Sequence, residues 1–103
     1  MAKPSIPFDA FLYPKLKDDE FAREYLSTCL EDGGFKNFLR ALREVIEVRE
    51  LSKTQLSTEA GISRDNLYHL LSEDGNPSLK SITSLLKTLG FRFSIDRAIE
   101  PPC

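Results

Sequence analysis

The sequence is poor in the residues on which several kinds of functional site depend. Among its 103 residues there are two cysteines, one histidine and no tryptophan. Cys29 and Cys103 lie far apart in the chain, which does not support a disulfide framework or a zinc site and predicts two free thiols. The single histidine has no nucleophile or second histidine in a recognisable motif, and neither a phosphate-binding glycine loop nor a nucleophile elbow is present. We therefore expect no enzyme, no catalytic residue, no bound metal and no cofactor.

Long apolar runs are also missing. No stretch approaches the roughly 20 residues needed to span a bilayer. The N-terminal sequence MAKPSIPFDAF does not place a basic region before an apolar one, as a secretory signal would. These absences predict a cytoplasmic protein without a membrane partner. The hydrophobic content of 41% is enough for one compact core.

The charge is unevenly distributed along the chain. The net charge is −2. Residues 1–34 carry four basic and seven acidic side chains, a net −3, whereas residues 35–95 carry nine basic and seven acidic, a net +2. The acidic segment has two interpretations, a solvated helix face or a surface for a basic protein partner.

Hydrophobic spacing predicts an all-α fold of five helices over residues 18–31, 35–48, 53–60, 64–71 and 78–89. The sequence FRFSI at 91–95 alternates apolar and polar residues, which predicts a short strand. Its pairing partner is left open between the N-terminal arm, a second subunit and another protein. We expect a single domain, 1–103, consisting of an arm and helix (1–34), a core (35–95) and a tail (96–103).

Residues 51–77 have the pattern of a helix-turn-helix. Ser52 can cap a first helix with Leu56 and Ala60 facing inward, and Gly61 occupies the sharp turn, where positive φ is needed. Ser63 can cap the second helix, whose buried side is Leu67, Leu70 and Leu71. This arrangement typically places the second helix in the major groove of double-stranded DNA.

Candidate DNA-binding residues follow from that pattern. On or beside the second helix they are Ser63, Arg64, Asp65, Asn66, Tyr68 and His69, and around it they are Lys53, Asn76 and Lys80. The Arg64 guanidinium could bind guanine, or it could pair with Glu59 or Asp65. For Lys53, Asn76 and Lys80 an ordinary solvated side chain is an equally plain interpretation.

The run LSKTQLSTEAGISRDNLYHLL resembles the lambda-repressor-like (XRE) DNA-binding domain. More narrowly, LKDDEFAREYLSTCLEDG, GISRDNLYHLLSEDGNPSL and LLKTLGFRFSI resemble addiction-module antidote proteins, a HigA-like antitoxin group often labelled prophage DNA-binding proteins. The resemblance implies about five helices, a homodimer, an operator with an inverted repeat, neutralisation of a RelE/HigB-like toxin and repression of the antitoxin's own operon. Asp65 departs from the pattern, because a carboxylate there repels phosphates unless it reads a cytosine amino group or pairs with a cation.

Two other functions fit the same residues. One is a stand-alone prophage or chromosomal XRE-type transcriptional repressor, and the other is a protein-interaction module that has lost DNA binding. The arm aromatics Phe8, Phe11 and Tyr13 have two interpretations as well. They could contact the toxin or form the dimer, since aromatics anchor interfaces, or they could cover the edge of the FRFSI strand.

Overall fold

The computed structural model describes residues 14–72 and 75–95, and this part of the chain is helical without strands. Its helices are α1 (Asp19–Val48), α2 (Lys53–Ala60), α3 (Arg64–Leu71) and α4 (Leu79–Leu89). The all-α prediction is confirmed, but the count of five helices is wrong. The two helices expected over 18–31 and 35–48 follow each other without a loop, as two segments of one 30-residue element with a kink at Gly34. No helix in this part is both long enough and apolar enough to span a membrane.

Helix α1 is interrupted at Gly34, where two helical segments meet at a kink. Gly34 has φ 77° and ψ −166°, a backbone conformation that L-residues with a Cβ rarely adopt. The Asn37 side chain reaches across the kink and donates from Nδ2 to the Cys29 carbonyl at 3.1 Å. The second helical segment follows Gly34 directly, so the break between the two expected helices is present without a loop between them.

A polar network holds the two halves of α1 together. The Tyr25 hydroxyl donates to Glu44 Oε1 at 2.6 Å, and Arg40 Nη1 donates to Glu44 Oε2 at 2.9 Å. Arg40 also donates to Asn37 Oδ1 through Nη2 at 2.6 Å. Burial and the hydrogen bond to Glu44 raise the pKa of Tyr25 far above its ordinary value, so its hydroxyl stays a neutral donor. Burial likewise raises the pKa of the Cys29 thiol.

The helix ends use the capping chemistry expected from the sequence. At each of the four N-termini a side-chain oxygen accepts a hydrogen bond from a first-turn amide. The residues that supply this oxygen are Asp18, Ser52, Ser63 and Ser78. Helices α2 and α4 end at left-handed glycines, Gly61 and Gly90. Helix α1 ends with the same hydrogen-bond pattern, in which Leu51 N donates to the Ile46 carbonyl, but its left-handed residue is Glu50 with φ 54°.

One apolar cluster joins the four helices and the residues before α1. Leu16 is fully buried, although the sequence placed it in an irregular arm, and Arg49 Nε donates to its carbonyl at 3.1 Å. Helical spacing predicts that Leu79 faces inward, but it is 68% exposed, because it occupies the first position of α4. The fully or nearly fully buried side chains include Leu16, Ala22, Phe38, Leu42, Val45, Ile46, Leu56, Leu67, Leu70, Ile82, Leu85 and Leu86.

The strand predicted at FRFSI is wrong, because residues 91–95 form neither a strand nor a helix. The two phenylalanines are half-buried against the domain instead. Phe93 lies 5.7 Å from Phe38 between ring centroids, and the Arg49 guanidinium lies 5.7 Å from the centre of the Phe91 ring. Ile95 does not share their packing and is 98% exposed. The alternation of this segment therefore reflects two anchored aromatic rings rather than sheet pairing.

We expect Glu50→Gly to stabilise the protein by about 0.5 to 1 kcal/mol, because glycine removes the steric cost of the left-handed conformation at the end of α1. The measurement is the free energy of unfolding in urea. Glu47→Gly is the control, since the same replacement inside the helix should destabilise by about 1 kcal/mol. Equal destabilisation by both changes would contradict the assignment of this helix end.

We expect Tyr25→Phe to destabilise the protein by about 1 kcal/mol or more, because it removes the hydrogen bond to Glu44 across the bend. Tyr68→Phe is the matched control. The Tyr68 side chain is 49% exposed and has no hydrogen bond to the described residues, so its hydroxyl should contribute almost nothing. Thermal and urea unfolding of the two variants give the comparison. If Tyr25→Phe lowered the free energy of unfolding no more than Tyr68→Phe does, the network would not hold the two halves of α1 together.

Candidate nucleic-acid interface

The helix-turn-helix predicted from the sequence is present, and both of its helices have the expected bounds, 53–60 and 64–71. The turn begins at Gly61, whose φ of 74° and ψ of 28° are left-handed. Ile62 then packs partly buried against the core. Ser63 Oγ accepts the Asn66 amide at 3.0 Å and so starts α3. The chain thus reverses within three residues and presents α3 against α2.

Two buried leucines set the rotation of α3. Leu67 and Leu70 are 0% and 1% exposed, and Leu71 is half-buried. With 3.6 residues per turn, the opposite side of the helix is occupied by Asp65, Tyr68 and His69. All three are exposed, and Arg64 and Asn66 are exposed at the margins of the same side. The structure therefore brings these five predicted residues together on one outward helix face.

Arg64 is not held by either carboxylate that the sequence offered. Within the residues that the structure describes, no ion pair involves Arg64, Asp65 or Glu59. Glu59 instead accepts a hydrogen bond from Gln55 Nε2 at 3.2 Å. Asp65 lies in the first turn of α3, where the helix dipole favours a negative charge. The Arg64 guanidinium is consequently available to a ligand.

Lys53 and Tyr68 meet in one groove beside α3. The groove has a volume of about 200 Å³, and its wall includes Arg43, Glu47 and Ser72 as well. Arg43 Nη1 donates to the Ser72 carbonyl at 3.3 Å, which ties α1 to the end of α3. Helical spacing alone predicts only that Arg43 lies on the outer face of α1. Its partner lies 29 residues away, so no local pattern could have identified this contact.

The other candidates lie at the margin of this surface. Asn76 and Lys80 are exposed, in the segment before α4 and in its first turn, and Lys80 forms no ion pair with the described residues. Ser63 is exposed at the start of α3. Ser63, Asn76 and Lys80 are not among the residues that line the groove with Lys53 and Tyr68. Among the residues described, no cluster of histidine, cysteine, aspartate and glutamate could hold a metal ion.

Comparison with known proteins gives one family and one relative. A sequence model of the family described as "Probable addiction module antidote protein" matches residues 6–97. A protein of Haemophilus influenzae (strain ATCC 51907 / DSM 11121 / KW20 / Rd), described as "Uncharacterized protein", is 31% identical over 83 residues, which are 81% of this chain and 84% of that protein. No solved structure matches the chain. The chain belongs to the family of probable addiction module antidote proteins, in which the antidote is the partner of a toxin.

Proposed function

We propose that this protein is a DNA-binding antitoxin of a type II toxin–antitoxin module. In this proposal a homodimer binds an inverted repeat in its own operator through α3, represses the operon and neutralises a RelE/HigB-like toxin in the cytoplasm without any catalytic activity of its own. Family membership supports the antitoxin part. The observation that carries the DNA-binding part is the outward face of α3, whose polar side chains are exposed on a helix fixed by the turn before it.

The chemistry of that face suits base edges. Arg64 has no ion pair with the described residues, and a guanidinium in this position can donate two hydrogen bonds to guanine O6 and N7. Asn66 can pair with adenine through its amide, and His69 can donate or accept. Asp65 would then accept from a cytosine amino group, which gives the one acidic side chain of this face a specific use.

Phosphate binding is the role we propose for the surroundings of α3. The first-turn amides of α3 lack helical acceptors and point outward at the N-terminus, where the helix dipole favours an anion. Lys53 stands beside this helix in the groove that also contains Tyr68. Asn76 and Lys80 are exposed, and we propose that they hold a second phosphate. Such contacts position the protein on the duplex and carry no sequence information.

The toxin-binding surface is proposed at the acidic N-terminal part. The first half of α1 exposes acidic residues, among them Glu20, Glu24, Glu31 and Asp32. The arm aromatics Phe8, Phe11 and Tyr13 lie outside the described residues. Because the acidic segment and α3 belong to different parts of the chain, one molecule could hold a basic toxin and DNA at the same time.

We expect Arg64→Ala to lower the affinity for the inverted repeat by about 1 to 3 kcal/mol, roughly 5- to 150-fold, with a smaller effect on random DNA. Fluorescence anisotropy with both duplexes measures this. Arg23→Ala is the matched control, because Arg23 is exposed on α1 and already paired with Glu20 and Glu24. Unchanged affinity and footprint for Arg64→Ala would refute the role of α3.

We expect Lys53→Ala to weaken binding to specific and random duplexes alike. The slope of log K against log salt should become shallower by about 0.9 for each protomer bound, because one phosphate contact is lost. Binding isotherms at several salt concentrations provide the slope. A loss confined to the specific duplex would contradict a phosphate contact and point to base reading by Lys53.

We expect deletion of residues 1–13 to abolish toxin binding or dimerisation while the helical circular-dichroism signal persists. Ending the deletion there preserves Leu16 and its contact with Arg49, which a deletion through residue 17 would remove from the core. Co-purification with an inactive variant of the neighbouring gene product and light scattering are the two measurements. A truncated chain that still dimerises and still binds the toxin would contradict the proposed role of the arm.

A further inference from the structure

A second, larger groove opens on the outer side of α1, immediately after the bend. Its volume is about 610 Å³, and it is lined by Gly33, Lys36, Asn37, Leu39, Arg40 and Arg43. Half of these residues are cationic and none is acidic. We call Lys36, Arg40 and Arg43 the basic stripe.

The spacing of the basic stripe places its three cations on one helix face. Positions 36, 40 and 43 follow one another by four and then three residues, which is the repeat of one side of an α-helix. At 1.5 Å per residue, Lys36 and Arg43 are separated by about 10 Å along the helix axis. Successive phosphates of one DNA strand advance by about 3.4 Å along the duplex, so this length corresponds to about three phosphates.

Two of the three cations are available to an anion. Lys36 is exposed, and neither Lys36 nor Arg43 forms an ion pair with the residues described. Arg43 uses Nη1 for the Ser72 carbonyl, which leaves most of the five N–H donors of a guanidinium. Arg40 is committed to Glu44 and Asn37, so it contributes less net charge to the groove.

The basic stripe is continuous with the surface beside α3. Arg43 lines both grooves, the larger one on α1 and the smaller one that contains Lys53 and Tyr68. A ligand that follows the cations from Lys53 past Arg43 to Lys36 therefore crosses from the helix-turn-helix onto α1. Glu47 also lines the smaller groove, but it is one carboxylate against Arg43 and Lys53, so the course keeps a net positive charge. A polyanion of regular charge spacing fits this course, whereas an acidic protein partner would have no need of continuity with α3.

We propose that the basic stripe binds the sugar–phosphate backbone of the DNA that flanks the base pairs read by α3. This inference rests on the proposed DNA-binding function and extends the contact surface to α1. The basic stripe supplies affinity and salt dependence, while sequence discrimination stays with α3.

The test measures salt dependence with a labelled random-sequence duplex and with a duplex of the upstream DNA. The test variant is the double change Lys36→Ala and Arg43→Ala in the full chain. The control is the double change Lys17→Ala and Lys87→Ala, which removes the same charge from exposed lysines that line neither groove. Lys36→Ala alone and Arg43→Lys are measured too, because Arg43→Ala also removes the contact with Ser72.

We expect the test variant to reduce the slope of log K against log salt by about two for each bound protomer, whereas the control stays near wild type. Lys36→Ala alone should reduce it by about one, and Arg43→Lys should restore the charge contribution. Slopes that fall equally in the test and control variants, or that do not fall, would overturn the proposed phosphate contacts of the basic stripe. They would leave the proposed role of α3 unaffected. Loss of toxin co-purification with an unchanged slope would overturn it in favour of an acidic protein partner. If the wild-type chain binds neither duplex, the proposed function fails as well.

Discussion

The burial of Leu67 and Leu70 is the constraint on which the functional surface depends. Both side chains are almost completely enclosed, and exposing either would forfeit about 2 kcal/mol of transfer free energy. The helix α3 has only eight residues, so the burial of these two positions fixes its rotation about its own axis. Asp65, Tyr68 and His69 must then point outward. The polar face is thus a consequence of the core, and it does not require any contact among the polar side chains themselves.

The bend in α1 extends this constraint to the rest of the chain. A straight helix from Asp19 to Val48 would be about 45 Å long and would carry its first half away from the small core. Gly34 permits the change of direction, and Asn37 links the two segments by donating to the Cys29 carbonyl. Tyr25, Arg40 and Glu44 then connect the two halves. The acidic first half and the basic stripe are consequently arranged by one backbone break.

Charge separation along the chain gives the two proposed partners different places. The net charge of −3 over residues 1–34 and of +2 over 35–95 would nearly cancel in a mixed surface. Because the two charges lie in different segments, the acidic segment would attract a basic protein and residues 35–95 would attract DNA. Long-range attraction of this kind acts mainly on association rates and is screened over about 8 Å at physiological salt. The base contacts of α3 would add the discrimination that charge alone cannot supply.

Local features of the fold could be predicted from the sequence, and long-range ones could not. The bounds of α2 and α3 and the caps Ser52 and Ser63 follow from short-range chemistry, and they are confirmed. The glycine pair at 33–34 predicts a helix end, and the backbone does break at Gly34, but a helical pattern cannot show that the next segment follows without a loop. The alternation at 91–95 predicts a strand, because an alternating pattern cannot show that Phe38 and Arg49 hold the two rings.

The same limit applies to the candidate interface. The outward residues of α3 follow from helical periodicity once the leucines are assigned to the core. The groove shared by Lys53, Tyr68 and Arg43 cannot be predicted from periodicity, since it joins residues from three helices. From the sequence, the residues of the basic stripe are predicted only to share one outer side of a helix. The fold shows that Arg43 lies beside the end of α3.

The most direct test of the central claim is a titration of the uniformly ¹⁵N-labelled protein with its upstream duplex, followed by two-dimensional NMR. If α3 reads the major groove, the largest amide shifts will fall on residues 63–69, with a second group around Lys53. Their size should be much reduced with a random duplex at the same salt concentration. Shifts of equal size with both duplexes, or shifts that spare α3, would contradict the account.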